Sequence, residues 1–156
     1  AFADWTAETF GFVTPGQEEA EVPQDDPFLK LRLAVAEESS SSIVPKWYPQ
    51  GTQLDDDVHV THRSDGTRIQ ALYTSENGDF IIRIQIYDNL PEEYIGVYQK
   101  NDENVKKHEI NGIIHYFYEN NQTHCVAWVN RNVEVLIQGD LEFEDLEKMT
   151  NSIYEE

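Results

Sequence analysis

One cysteine, Cys125, stands among 156 residues. Without a second thiol the chain can form no disulfide within itself and no cysteine-based zinc cluster. Cations are scarce too: 11 Lys and Arg face 30 Asp and Glu, a formal charge of −19 at pH 7. Affinity for nucleic acid comes largely from Lys and Arg neutralising phosphates, so nucleic acid is excluded as an expected partner and anionic lipid is repelled. No run reaches the roughly 18–20 apolar residues that span a bilayer, and no signal-peptide pattern opens the chain. It begins at Ala1 rather than Met, a start that suggests a piece of a longer or processed protein. The Gly-x-Ser-x-Gly elbow of a serine hydrolase is missing, as is a phosphate-cradling glycine loop. The sequence offers no motif for a cofactor, and none is expected.

What is present suffices for one domain: 39 % of the residues are hydrophobic, enough for a single core and a loose end. Residues 1–43 read as a helical leader with an acidic linker. Phe2, Trp5, Thr9 and Phe12 fall near helical spacing before Pro15-Gly16, Phe10 adds to the aromatic content, and residues 14–25 are polar and acidic. Asp26-Pro27 then offers an N-cap followed by proline in the first turn. Beyond it Leu29, Leu33 and Ala36 fall on one helical face, with Phe28, Leu31 and Val35 beside them. Leu29, Leu31, Leu33 and Val35 also alternate, so residues 27–38 fit a strand as well; the Asp-Pro start favours the helix. The serines at 39–42 read as a flexible exit.

Residues 44–156 read as an α+β domain. Val44-Pro45-Lys46-Trp47-Tyr48-Pro49-Gln50-Gly51 is a stiff apolar opening, with a turn expected at Tyr48 to Gly51. The period then changes to two. Strands are expected over 58–63, 67–74, 79–87, 113–119, 122–130 and 132–138, with a further one over 105–110. Ser64-Asp65-Gly66, Glu76-Asn77-Gly78, Asn111-Gly112, Asn120-Asn121 and Asn130-Arg131-Asn132 supply turns, while residues 91–102 form an acidic connection. A closing helix from about Glu142 to Tyr154 carries Leu146, Met149 and Ile153 as its apolar stripe. The order predicts an antiparallel sheet of about six to seven strands, with a C-terminal helix packed on one face and N-terminal helices before it.

The clusters that could carry chemistry are weak. Asp55-Asp56-Asp57 with His59 and His62 lacks the calcium-loop spacing, and on a strand the two histidines point to opposite faces. No metal site is expected. His124 and Cys125 likewise diverge on a strand, and an acidic chain is a poor setting for a reactive thiol. Asn121-Gln122-Thr123 fits a short glycosylation pattern. Aromatics are richer: His115, Phe117 and Trp128 could share one sheet face, with Tyr116 and Tyr118 on the other. One face would then meet the closing helix and the other the leader helices. With Trp47 and Tyr48, the first three residues form a candidate binding face for a peptide or lipid chain.

The segment Val44-Pro-Lys-Trp-Tyr-Pro-Gln-Gly51 resembles the opening signature of a domain of unknown function in Gram-positive membrane-anchored proteins, which are anti-sigma-like or lipoprotein-sorting-like. Glu109 to Ile113, Ala127-Trp128-Val129, Gly139-Asp140-Leu141 through Leu146, and Ser152-Ile153 are similar to later parts of that domain. The likeness spans about 44–154, and the aromatic leader is similar to the helix that commonly follows the membrane span. Glu142 departs from the family, which often has Ser or Thr at that cap. The resemblance implies a non-enzymatic, extracytoplasmic, cell-surface domain that senses or binds a protein, peptide or lipid. It would be tethered by a transmembrane segment outside this chain, with regulation of a sigma factor as its output. A carrier-like binder of a lipid or peptide chain and a secreted hydrolase are the rival readings.

Overall fold

Proline at the start of a helix costs nothing, because the N–H it lacks would have no partner there. Here the expected cap falls two residues later: Phe28 is the N-cap, without a side-chain bond, and Pro27 precedes it in a turn that Asp26 holds. Its Oδ1 takes the Phe28 N–H at 3.0 Å, and its carbonyl takes the Leu29 N–H at 3.2 Å. The helix α1 that follows, Leu29–Glu38, decides between helix and strand in favour of the helix, with residues 27 and 28 as the turn before it. The structure, a computed structural model, describes residues 26–39, 43–88 and 105–155. The expected leader helix in residues 1–13, the linker over 14–25, most of the serine run and the acidic connection over 91–102 lie outside the described residues.

The face that α1 buries differs from the expected stripe. Phe28, Leu31 and Val35 are buried, whereas Leu33 is 59 % exposed and Ala36 lies in solvent. The Phe28 ring sets this rotation: it stands edge-on to Tyr73 at 4.9 Å, Tyr48 at 5.5 Å and Phe80 at 6.4 Å. Such edge-to-face contacts add to the area an aromatic buries.

Eight strands follow among the described residues: β1 (Gln53–Leu54), β2 (His59–Arg63), β3 (Gly66–Thr74), β4 (Phe80–Tyr87), β5 (Lys106–Ile110), β6 (Ile113–Asn120), β7 (Thr123–Asn130) and β8 (Val133–Gly139). They form one antiparallel sheet in the order β1-β3-β4-β8-β7-β6-β5, with β2 also paired to β3. The chain thus makes a first hairpin unit and a later meander, joined where β4 meets β8.

Turns fall close to their expected places. Asn111 and Gly112 both have positive φ, as a two-residue hairpin turn demands. The next turn sits one residue later than expected, at Asn121-Gln122, because Asn120 still pairs with Thr123 and accepts its hydroxyl at 2.5 Å. The proline turn also shifts by one. Thr52 N–H donates to the Pro49 carbonyl at 3.2 Å, which puts Gly51, at φ 79°, in the third position, where a type II turn needs a left-handed residue.

The closing helix α2 spans Phe143–Ile153 and buries Leu146, Met149 and Ile153. Glu142 occupies its N-cap without a side-chain bond, while Glu144 and Asp145 place negative charge in the first turn, where the helix dipole favours it. One expectation is corrected: α1 and α2 do not take opposite faces. Their buried residues join a single core with Ile69, Tyr73, Ile82, Ile84, Val126 and Trp128, all from one side of the sheet. The other side carries a smaller cluster of Cys125, Ala127 and Leu136 with Tyr118 against it. Direct pairing runs across that side from Tyr118 through Cys125, Gln138 and Ile81 to Leu72.

Candidate functional site

The Asp26-Pro27 turn, the start of α1 and the short edge strand β1 border a cleft. It measures about 550 Å³ and is lined by Asp26, Pro27, Leu29, Lys30, Thr52, Gln53, Leu54 and Asp56. That volume lies in the range of small-ligand pockets. Its charges are arranged in pairs: Arg32 holds Asp26 at 3.0 Å, and Lys30 Nζ lies 3.6 Å from Asp57 at the rim. The Val58 N–H, then Lys30, pull the Asp57 carboxyl below its ordinary value. Asp26 is thus engaged, by Arg32 and by the Phe28 N–H, and the Thr52 hydroxyl donates to the Pro49 carbonyl at 2.6 Å, which leaves Gln53 and Asp56 as exposed polar side chains of the wall.

The core beside β1 holds an unpaired polar atom. Leu54 of the cleft pairs with Tyr73 across β1 and β3. The Tyr73 ring is buried, stacked 5.3 Å from Phe80, and its hydroxyl has no hydrogen-bond partner. Burial pushes this phenol up strongly; Asp26 adds to the rise and Arg32 opposes it. An unpartnered buried hydroxyl costs about 1–3 kcal/mol of stability. Gln85 Nε2 is the other such side-chain atom among the described residues, although its Oε1 accepts from Arg68 Nε at 3.0 Å.

The five residues expected on a binding face occupy two settings. His115, Phe117 and Trp128 do share a sheet face, but they lie in the core, with exposures of 0, 2 and 1 %. Trp47 and Tyr48 are half-buried against that core, and Lys148 lies over the Trp47 ring at 5.3 Å. The structure does not assemble the five into one open surface.

The other chemistry-bearing side chains are engaged in structural bonds. His115 Nδ1 donates to the Ile113 carbonyl at 2.9 Å, and its Nε2 accepts from the Tyr154 hydroxyl at 2.8 Å. His124 Nδ1 donates to the Leu141 carbonyl at 2.6 Å, with Nε2 3.2 Å from Glu119. Cys125 is buried, and burial pushes its thiol up. His59 and His62 lie on exposed β2 and turn apart, the first 3.5 Å from Asp56, the second 3.3 Å from Thr67 Oγ1. Among the described residues no three His, Cys, Asp or Glu side chains converge on a metal position, and no helix is long and apolar enough to cross a membrane.

Sequence reasoning missed the cleft and the His115–Tyr154 bond. Asp26 and Asp56 come to one cleft only through tertiary folding, and no local pattern announces that; the Asp-Pro signal just before α1 was the one legible part. Fold and cleft together define an α+β domain with two helices on one face of an antiparallel sheet. The chain belongs to the family described as Domain of unknown function (DUF4367), which it matches over residues 42–153. Among solved structures it is similar to a GTP binding regulator from Thermotoga maritima, at 19 % identity over 67 % of this chain and 78 % of that one, with a TM-score of 0.45. No curated protein matches it.

Proposed function

We propose that this chain is the non-enzymatic, extracytoplasmic sensory or ligand-binding domain of a membrane-anchored protein, with control of a sigma factor as its output. The observation that carries the binding part is the cleft between α1 and β1. His115, His124 and Cys125 are committed to carbonyls, a phenol or the buried interior. The tether and the sigma-factor output rest on the family resemblance of the Val44 to Gly51 opening and the segments after it.

Surface proteolysis tests the location. Intact cells expressing the full-length protein, with an epitope after residue 156, are treated with an external protease. Loss of the epitope without lysis is expected. Survival of the epitope until lysis overturns an extracytoplasmic placement. Recovery of the domain free in the medium overturns the tether and favours a carrier-like binder.

A further inference from the structure

Histidine at a fully buried position must resolve which nitrogen carries its proton, and here the partners decide. The Ile113 carbonyl can only accept, so His115 Nδ1 bears the hydrogen. Nε2 is then the acceptor, and the Tyr154 hydroxyl donates to it. Tyr154 is the C-cap of α2, and His115 lies on β6, so this single bond ties the end of the helix to the sheet. The ring is further enclosed by Trp128 on β7 at 4.7 Å and by the Tyr154 ring at 5.6 Å.

The same end of α2 holds the chain's apolar opening. Ser152 Oγ accepts the main-chain N–H groups of Lys46 and Trp47 at 2.8 and 3.0 Å. Lys46 Nζ donates to the Glu155 carbonyl beyond it. Whatever loosens the last turn of α2 therefore loosens residues 46 and 47 as well.

We propose that His115 is an acid-sensitive latch: neutral, it locks the last turn of α2 to β6, and protonated, it releases that turn together with the Lys46-Trp47 segment. A second proton makes Nε2 a donor as well, and the Tyr154 hydroxyl, which can also accept, keeps the bond only by turning its own hydrogen away; the latch opens because the fully buried ring now carries a charge that solvent must reach. The new charge finds little compensation. Among the described residues the groups that bear on it are His108, directly across from it on β5, and Tyr154 on α2; β7 presents the uncharged Trp128 ring. Burial opposes an imidazolium first and His108 repels one, against the main-chain carbonyls of Ile113 and His108, which favour it.

The sign of the pH effect follows. Burial holds His115 below its ordinary value in the folded chain. Its contribution to stability is complete above the unfolded value of about 6.5 and is lost as pH falls through the folded value. The latch is a property of the folded domain and stands apart from the tether and ligand proposed above.

The test uses the whole chain, as wild type, His115→Gln and Tyr154→Phe. Backbone exchange, corrected for intrinsic rates, is followed for residues 147–155 and for β7–β8 as internal reference, between about pH 7.5 and 5. Acid should lower protection of 147–155 about tenfold relative to β7–β8 in wild type. His115→Gln should lose that pH response, and Tyr154→Phe should show the released level already at neutral pH. Equal protection of wild type across the range, or an undiminished response in His115→Gln, overturns the latch. If His115→Gln does not fold, the imidazole of the wild-type chain is titrated by NMR. A midpoint below about 6.5 but above about 5 supports the latch. Titration at or above 6.5, or none down to about pH 5, overturns it.

Discussion

The Ser152 hydroxyl accepts the Lys46 main-chain N–H at 2.8 Å, so the last turn of α2 holds the start of the domain 106 residues upstream. The same oxygen accepts the Trp47 N–H and donates to the Met149 carbonyl at 2.6 Å. Ser152→Ala leaves two main-chain donors without this acceptor. We expect a loss of about 1–3 kcal/mol, read as a lower urea midpoint with an unchanged slope.

Leu146 tests the packing of α2. It is fully buried, so Leu146→Ala should cost about 2–5 kcal/mol through lost burial and the cavity left behind. Leu33, 59 % exposed on α1, is the internal control. Leu33→Ala should change stability by less than about 0.5 kcal/mol. Equal midpoints for the two variants would contradict the assigned faces.

Tyr73→Phe should move the other way. Removing a buried hydroxyl without a partner leaves the ring contacts with Phe28 and Phe80 intact. The variant should be as stable as the wild type, or more stable by up to about 1–3 kcal/mol. A clear loss of stability would mean that the hydroxyl has a partner in solution.

Much of this fold was legible because the sheet alternates openly. In β4, Phe80, Ile82 and Ile84 point to the core, and Ile81 and Arg83 are only half-buried on the other side. Asn111-Gly112 marked a turn whose two residues need positive φ. The face of α1 was hidden because its Leu and Val residues occur at every second position and so touch every side of a helix. Its rotation is decided by Phe28 meeting Tyr73 and Phe80, a contact across more than 40 residues. The shared face of His115, Phe117 and Trp128 could be read from alternation, but their depth could not. That depends on α2 lying over them, and on Tyr154 reaching back to His115.

Gly139 carries a prediction of its own. A Cβ there would collide with the Asp79 carbonyl and the Phe80 backbone. Since main chain cannot yield as a flexible side chain can, Gly139→Ala should destabilise by about 1–3 kcal/mol through overpacking. Gly112, whose added Cβ would meet nothing within 4 Å, is the contrast. Gly112→Ala carries only the conformational cost of its φ of 80°.

Cys125 should stay unmodified by a bulky maleimide in the native chain and react fully in denaturant. It is buried in the cluster with Ala127 and Leu136, and burial pushes the thiol away from its reactive thiolate form. Fast native labelling would place this side of the sheet in open solvent.

The seam between β4 and β8 has a kinetic consequence. Every other strand pair in the sheet joins strands adjacent in the described chain, or β1 to its near neighbour β3. At the seam, Ile82 must find Ile137 and Ile84 must find Val135, more than 50 residues away. Closing so long a loop is entropically costly before its contacts repay it, and pairing of distant segments slows folding. The two hairpin units can therefore form early, while their union at β4–β8 sets the pace. Until that union, the core faces of both units are open to water, and it is then that this strongly negative chain gains most from mutual repulsion between its copies.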